Sequence, residues 1–219
     1  MALRQTTLSL SGKGADMQRN NAFISHRRIL QVLLLIAMPL IPAFAASTVR
    51  SPYGVDLSGQ PVLSLAGKQT KAIVLVFVAS DCPISNRYLP QIRRLDAEFG
   101  PQHVAFWVVY PNPGDTVDVI RQHQKSYGKI ADEIRDPNHT LVQLARARVT
   151  PEAAILVPQG SGFKEIYRGR IDNRYIDFGQ QRPQATQHDL QDAIAAVVQG
   201  NTNPRPTGRP VGCFIVNLP

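Results

Sequence analysis

Cysteine is scarce in this sequence: only two of its 219 residues are cysteines, Cys82 and Cys213. Two cysteines allow at most one internal bridge, which excludes a small scaffold held together mainly by disulfide bonds. The sequence also lacks a Cys-x-x-Cys pair, and its five histidines are scattered, with no two at metal-ligand spacing. We therefore expect no metal and no other cofactor. The two cysteines form one structural bridge, one redox pair or two independent thiols.

Dense runs of lysine and arginine are also missing. The net charge is +8, but five of the 24 basic residues and one of the 16 acidic residues fall in residues 1–45, which leaves +4 for the remainder. A charge this modest, without interleaved aromatic residues, does not call for a nucleic-acid partner. Hydrophobic residues make up 43% of the chain, enough to bury the core of one ordinary domain.

The N-terminal part of the sequence has the pattern of an export signal. Arg27 and Arg28 precede an apolar run at 29–40, and Ala43-Phe44-Ala45 then offers small residues for cleavage. The run is shorter than the roughly 20 residues that span a membrane, so an uncleaved anchor is the alternative and the only membrane contact we expect. We assign 1–45 to an extension and signal peptide. The protein is then exported to the periplasm or another extracytoplasmic space, where disulfides persist.

Apolar runs and amphipathic segments alternate along the rest of the chain. Continuous apolar runs fit strands buried on both faces, so residues 46–200 predict an α/β domain with a central mixed sheet flanked by helices. Residues 201–219, which begin with many Pro, Asn and Gly, are predicted to be a flexible tail that carries Cys213. The predicted strands are 62–65, 72–80, 104–110, 153–157 and 164–169; the predicted helices are 83–99, 116–127, 139–147 and 189–199, with Asp115 capping the second helix and Asp136-Pro137-Asn138 starting the third.

Cys82 directly follows the first long apolar run and opens a predicted helix. The free N–H groups and partial positive charge of a helix N-terminus stabilise a thiolate, which is the reactive form of cysteine. Arg87, one turn further on, adds positive charge, while the carboxylate of Asp81 acts in the opposite direction. We expect Cys82 to be a nucleophile; the alternative is a buried, inert thiol.

The segment 81–92 resembles the active-site helix of thioredoxin-fold proteins, in which a cysteine opens the helix and a proline follows eight residues later. Cys82 and Pro90 match that spacing, and Thr150-Pro151 resembles the cis-proline element of the same fold. The chain is most similar to the redoxin and peroxiredoxin-like proteins of the alkyl hydroperoxide reductase/thiol-specific antioxidant family. The resemblance implies a thioredoxin-like fold with Cys82 as the catalytic residue and Thr150 and Pro151 in support, and the positive charge of Arg87 makes it the third supporting residue.

Several positions depart from that pattern. Ser85 stands where the second cysteine of a thioredoxin Cys-x-x-Cys would be, and a lone thiol cannot resolve a mixed disulfide by itself. Ala79 and Leu75 occupy the places where peroxiredoxins have a Thr or Ser and a Pro. Arg146 and Arg148 are the nearest candidates for the arginine with which peroxiredoxins bind peroxide.

These observations predict an exported thiol-based oxidoreductase or peroxidase-like redoxin. In this hypothesis Cys82 attacks a peroxide or a partner disulfide, and Cys213 or an external reductant resolves the product. About 13 residues of tail give Cys213 a reach of roughly 40 Å, although it can equally be a lone thiol or form an intermolecular bridge. The second hypothesis is a binding or assembly module that has lost turnover. Copper delivery ranks last, because it needs two neighbouring cysteines and a histidine.

Overall fold

The computed structural model describes residues 51–203 and 208–216. The expected export signal lies outside the described residues. Within them, no helix is both long and apolar enough to cross a membrane. The strands are β1 (Ala72–Phe77), β2 (Val104–Tyr110), β3 (Asp132–Arg135), β4 (Val149–Thr150), β5 (Glu152–Gln159), β6 (Gly162–Gly169), β7 (Tyr175–Asp177), β8 (Gln180–Gln181) and β9 (Cys213–Phe214); the helices are α1 (Pro83–Phe99), α2 (Val117–Tyr127), α3 (Thr140–Ala145) and α4 (Asp189–Val198), with a 3₁₀ turn at Gly100–Gln102.

A five-stranded mixed sheet in the order β3-β2-β1-β5-β6 forms the centre of the fold. β1 lies in the middle and runs parallel to β2, with Ala72 opposite Val104. On its other side β1 runs antiparallel to β5, with Val74 opposite Ile155, and β5 continues into β6 as a hairpin. The predicted central mixed sheet is therefore confirmed.

Both faces of β1 are buried, which explains its uninterrupted apolar sequence. Successive side chains of a strand point to opposite faces, so Val74 and Val76 belong to one side of the core and Leu75 and Phe77 to the other. The first side packs against α1, α2 and α4, and the second packs against α3. The apolar residues that these helices contribute include Ile92 from α1, Ile120 from α2, Leu190 from α4 and Leu141 from α3.

The structure differs from the sequence prediction at several elements. β3 was not predicted, because it is a short edge strand whose sequence, Asp-Glu-Ile-Arg, is mostly charged. Residues 62–65 do not form the expected strand. Thr116, not Asp115, caps α2, and its hydroxyl accepts a hydrogen bond from the Val119 N–H. The start of α3 was predicted correctly: the carboxylate of Asp136 accepts hydrogen bonds from three successive backbone N–H groups, those of residues 140–142.

Part of the expected tail is packed against the domain, which corrects the prediction that 201–219 is flexible. Cys213–Phe214 pairs antiparallel with Val149–Thr150 as a two-stranded ladder, and Ile215 is buried in the core beside α3. Gly212 lies directly against the backbone of Thr150, where a Cβ atom would come within 2.2 Å of the carbonyl oxygen. Composition favours a loose tail here, but the strand pairing, the close approach of Gly212 and the buried Ile215 hold residues 211–215 against the domain.

Candidate redox site

Cys82 lies between the end of the central strand and the first turn of α1. The loop after Phe77 turns sharply enough for the Cys82 N–H to donate to the Ala79 carbonyl at 3.1 Å. Cys82 then takes the N-cap position, with Pro83 as the first helical residue. The prediction that Cys82 opens a helix is correct, and Pro90 lies inside that helix as expected.

Thr150, which precedes Pro151, lies directly against Cys82. The peptide bond between Thr150 and Pro151 is cis, as the resemblance implied. The Cys82 thiol donates a hydrogen bond to the Thr150 carbonyl oxygen at 3.1 Å, and both side chains are almost completely buried. Two segments separated by 68 residues in sequence are thereby joined at the sulfur.

Cys213 completes the site from the C-terminal segment. In the β4–β9 ladder it is the residue opposite Thr150, whose hydroxyl donates to the Cys213 carbonyl at 3.4 Å. Both cysteines are free thiols, and each lies close enough to shift the pKa of the other. The two cysteines therefore lie beside each other at Thr150, although 131 positions of sequence separate them.

The two thiols differ in acidity. Burial raises the pKa of Cys82, but hydrogen bonds from Cys213 and Ser85 favour its thiolate, so the pKa lies below the ordinary cysteine value. Burial and the hydrogen bond to Cys82 raise the pKa of Cys213 to about 12, and the charges of Cys82 and Asp81 add to the increase. The surroundings therefore favour the thiolate form of Cys82 and the neutral thiol of Cys213.

Ser85 belongs to the candidate site, which the sequence did not reveal. It appeared only as the position that lacks the second thioredoxin cysteine, whereas the structure buries it in the first turn of α1. Its hydroxyl and backbone N–H both help to lower the pKa of Cys82. Its location three residues after the helix-opening cysteine is the sequence signal that could have indicated this, since that N–H faces the N-cap side chain.

A pocket of about 260 Å³ opens beside the site, between the start of α1 and the β7–β8 hairpin. Cys213 lines it, and Cys82 does not. Arg87 also lines this pocket and is exposed, so it lies on the Cys213 side of the site. Its expected support of the Cys82 thiolate stays a prediction. The remaining lining residues are Pro83, Ile84, Tyr175, Phe178, Gly179 and Gln181.

A buried polar network supports the loop that precedes Cys82. The hydroxyl and the N–H of Ser80 both donate to one carboxylate oxygen of Asp115, and the Asn86 amide donates to the Ser80 carbonyl at 3.1 Å. The Asn86 oxygen accepts in turn from His123 Nε2 at 2.7 Å. Burial raises the pKa of Asp115, whose second oxygen has no hydrogen-bond partner. Sequence reasoning missed this network because its members come from separate elements.

The positions at which peroxiredoxins bind peroxide differ here. Leu75 and Ala79 are buried apolar residues with no hydroxyl to offer, and Ser80 directs its hydroxyl to Asp115. Arg146 pairs with Glu165 at 2.5 Å, and Arg148 lines a groove of about 520 Å³ together with Gly212 and Phe214, the two neighbours of Cys213. Among residues 51–203 and 208–216, no group of three or more His, Cys, Asp or Glu side chains is arranged to hold a metal ion.

Comparisons with known proteins identify relatives by structure only. No protein-family model matches the chain, and no curated protein matches it. A hypothetical protein from Sinorhizobium meliloti is 20% identical, with 74% of this chain and 88% of that chain covered and a TM-score of 0.60. An uncharacterized conserved protein from Geobacillus kaustophilus is 21% identical, with 76% and 88% covered and the same TM-score of 0.60. A secreted Mycobacterium tuberculosis disulfide oxidoreductase also matches, at 19% identity over 67% and 93% with a TM-score of 0.44.

The class of protein follows from the fold and the site together. A mixed sheet flanked by helices, a cysteine at the start of the helix after the central strand and a cis-proline facing that cysteine define a thioredoxin-like domain. At these identities the comparisons support the fold alone. The peroxiredoxin-like subgroup named by the sequence resemblance is therefore a matter for the proposed function.

Proposed function

We propose that this protein is a thiol–disulfide oxidoreductase in which Cys82 and Cys213 alternate between a dithiol and a disulfide. The observation that carries the proposal is that both cysteines contact Thr150: its carbonyl oxygen accepts from the Cys82 thiol at 3.1 Å, and Cys213 lies opposite it in the β4–β9 ladder. Cys213 takes the place of the second cysteine that Ser85 does not supply. The pair can therefore resolve a mixed disulfide within one chain, which a lone thiol cannot do.

The reaction exchanges one disulfide for another. A partner disulfide accepts two electrons from the dithiol and leaves as two thiols, while Cys82 and Cys213 become joined; the reverse reaction oxidises a partner dithiol. We favour a protein thiol or disulfide over peroxide, because Leu75 and Ala79 offer no hydroxyl to orient a peroxide beside Cys82. An external partner must regenerate the pair in either direction. The export pattern at 27–45 supports an extracytoplasmic site of action, where disulfide chemistry is common.

Oxidation followed by mass spectrometry tests the proposal. The reduced protein is equilibrated with mixtures of reduced and oxidised glutathione, the remaining thiols are alkylated, and the disulfide is mapped by digestion. We expect an intramolecular bond between Cys82 and Cys213 and turnover of a small disulfide substrate. Cys82→Ser and Cys213→Ser serve as matched controls, and neither should turn over.

Two outcomes would contradict the proposal. If Cys82 and Cys213 never join at any glutathione ratio, they are not a redox pair. If Cys82→Ser retains full biological function and partner capture, the thioredoxin-like domain is a binding or assembly module. A peroxide arm, in which dimedone traps a sulfenic acid on Cys82, separates a peroxidase from a disulfide exchanger.

A further inference from the structure

We propose that the partner thiol attacks the sulfur of Cys213, so that Cys213 carries the mixed disulfide and Cys82 is the leaving group. This inference rests on the proposed redox pair and assigns the role of each sulfur in it. It reverses the sequence hypothesis, in which Cys82 meets the substrate and Cys213 only resolves the product.

Access is the first reason. Cys82 is 1% exposed, and Thr150 and Cys213 cover its sulfur. Cys213 is partly exposed and lines the pocket of about 260 Å³, which Cys82 does not reach. Thiol–disulfide exchange requires the attacking, attacked and leaving sulfurs to lie nearly in line, so the attacked sulfur must be the one that solvent and partner can reach. Of the two, that sulfur is Cys213.

The chemistry of the leaving group is the second reason. An exchange is faster when the departing thiol has a low pKa, because the thiolate that leaves is better stabilised. While Cys213 carries the mixed disulfide its thiol proton is absent, but the Ser85 hydroxyl and the backbone N–H groups of Ser85 and Cys213 still favour the Cys82 thiolate. Burial and the charge of Asp81 disfavour a thiolate on Cys213. Attack on Cys213 therefore expels the stabilised thiolate of Cys82. Attack on Cys82 would expel the thiolate of Cys213, which is the poorer leaving group. Acidity and access point to the same sulfur.

The proposed steps balance. The partner thiolate forms a bond to Cys213 Sγ, the Cys82–Cys213 bond breaks, and the electron pair leaves with Cys82 as its thiolate. A second thiolate of the partner then attacks the partner's own sulfur in the mixed disulfide. That step releases the partner disulfide and returns Cys213, which takes up a proton. The partner is oxidised by two electrons, and the cysteine pair is reduced by two.

The surface around Cys213 indicates what kind of thiol the pocket receives. Phe178 lines the pocket, and Ile176 and Phe214 line the neighbouring groove of about 520 Å³ together with Phe178. The side chains of Ile176, Phe178 and Phe214 are exposed by 53%, 58% and 72%. Exposed apolar side chains around a reactive sulfur suit a polypeptide substrate better than a small charged thiol. The probe for the experiment is therefore a short peptide with a single cysteine between leucines.

Rapid trapping of the mixed disulfide tests the assignment. Wild-type protein is first oxidised and the Cys82–Cys213 disulfide is verified; the peptide is added, the reaction is quenched with acid at successive short times, and free thiols are alkylated. We expect the earliest adduct to be on Cys213, with Cys82 alkylated, in roughly tenfold or greater excess over the reverse adduct. As a control, the oxidised protein unfolded in guanidinium should distribute the peptide over both sulfurs.

The possible results separate the two proposals. An early adduct mainly on Cys82, or an equal distribution in the folded protein, overturns the assignment of the attacked sulfur while leaving the redox pair intact. Failure to form the Cys82–Cys213 disulfide in the first step overturns the proposed function itself.

Discussion

Burial and hydrogen bonding act on Cys82 in opposite directions. Burial alone favours the neutral thiol and would make the residue inert. The pKa nevertheless falls below its ordinary value, because Cys213 and Ser85 place donors at the sulfur. The reactivity of Cys82 thus depends on two neighbours, one from the first turn of α1 and one from the end of the chain.

Removing the Cys213 thiol should raise the pKa of Cys82. In Cys213→Ala the side-chain donor is lost while burial remains, so the thiolate forms at higher pH than in the wild type. The measurement is the ultraviolet absorbance of the thiolate as a function of pH. Cys213→Ser keeps a hydroxyl donor and should give an intermediate midpoint. Identical midpoints in the wild type and Cys213→Ala would mean that Cys213 does not stabilise the thiolate.

The short helix α3 depends on a residue outside it. Asp136 is completely buried, and its two oxygens accept the N–H groups of Thr140, Leu141 and Val142 at 2.7 to 2.9 Å. A helix of six residues has few internal hydrogen bonds, so its start requires an external acceptor. By holding α3 against the sheet, Asp136 also positions the chain that leads to Thr150.

Replacing Asp136 with alanine should destabilise the domain substantially. The change leaves three backbone donors without a partner, which costs about 2–4 kcal/mol in the free energy of unfolding. Urea denaturation measures this cost. Asp136→Asn keeps one acceptor oxygen and should lose less, while Asp118→Ala, at an exposed position of α2, should leave the midpoint unchanged. Equal stability of Asp136→Ala and wild type would contradict the capping role.

At the scale of the whole molecule, the candidate redox site forms because the C-terminal segment packs back against Thr150. The β4–β9 ladder places Cys213 opposite Thr150, and the buried Ile215 anchors the segment. Gly212 is the point of closest approach, where a side chain would meet the carbonyl oxygen of Thr150 at 2.2 Å and its carbonyl carbon at 2.6 Å.

Gly212→Ala should separate the two cysteines without disturbing the core. The added methyl group forces residues 211–214 away from Thr150, and a displacement of about 1 Å is enough to slow formation of the Cys82–Cys213 disulfide about tenfold or more. The rate is followed by quenched alkylation after addition of oxidised glutathione. Gly114→Ala adds its methyl group to open space and is the matched control. An unchanged rate in Gly212→Ala would show that close packing there is not needed.

The elements that the sequence predicted are those whose own residues carry the signal. β1 and β2 are continuous apolar runs, and α1 has apolar residues at helical spacing. These hydrophobic patterns are enough to predict the two strands and the helix from the sequence. β3 was missed because it is stabilised by pairing with β2 and not by its own charged residues. Asp115 was predicted to cap α2 because aspartate is common at that position before a helix. In the structure its carboxylate instead accepts a hydrogen bond from the Ser80 N–H.

The sequence by itself determined the α/β class and the place of Cys82 at the start of a helix, because apolar runs and helical spacing are local patterns. The resemblance of residues 81–92 and of Thr150-Pro151 to thioredoxin-fold proteins added the thioredoxin-like class and the cis-proline. Only the tertiary structure decided that Cys213 lies against Cys82, that Ser85 and Cys213 set its acidity and that the outer sulfur borders the pocket. These contacts mostly join segments that are distant in the chain. Their strength depends on burial and on backbone contacts, which cannot be seen in a short sequence pattern.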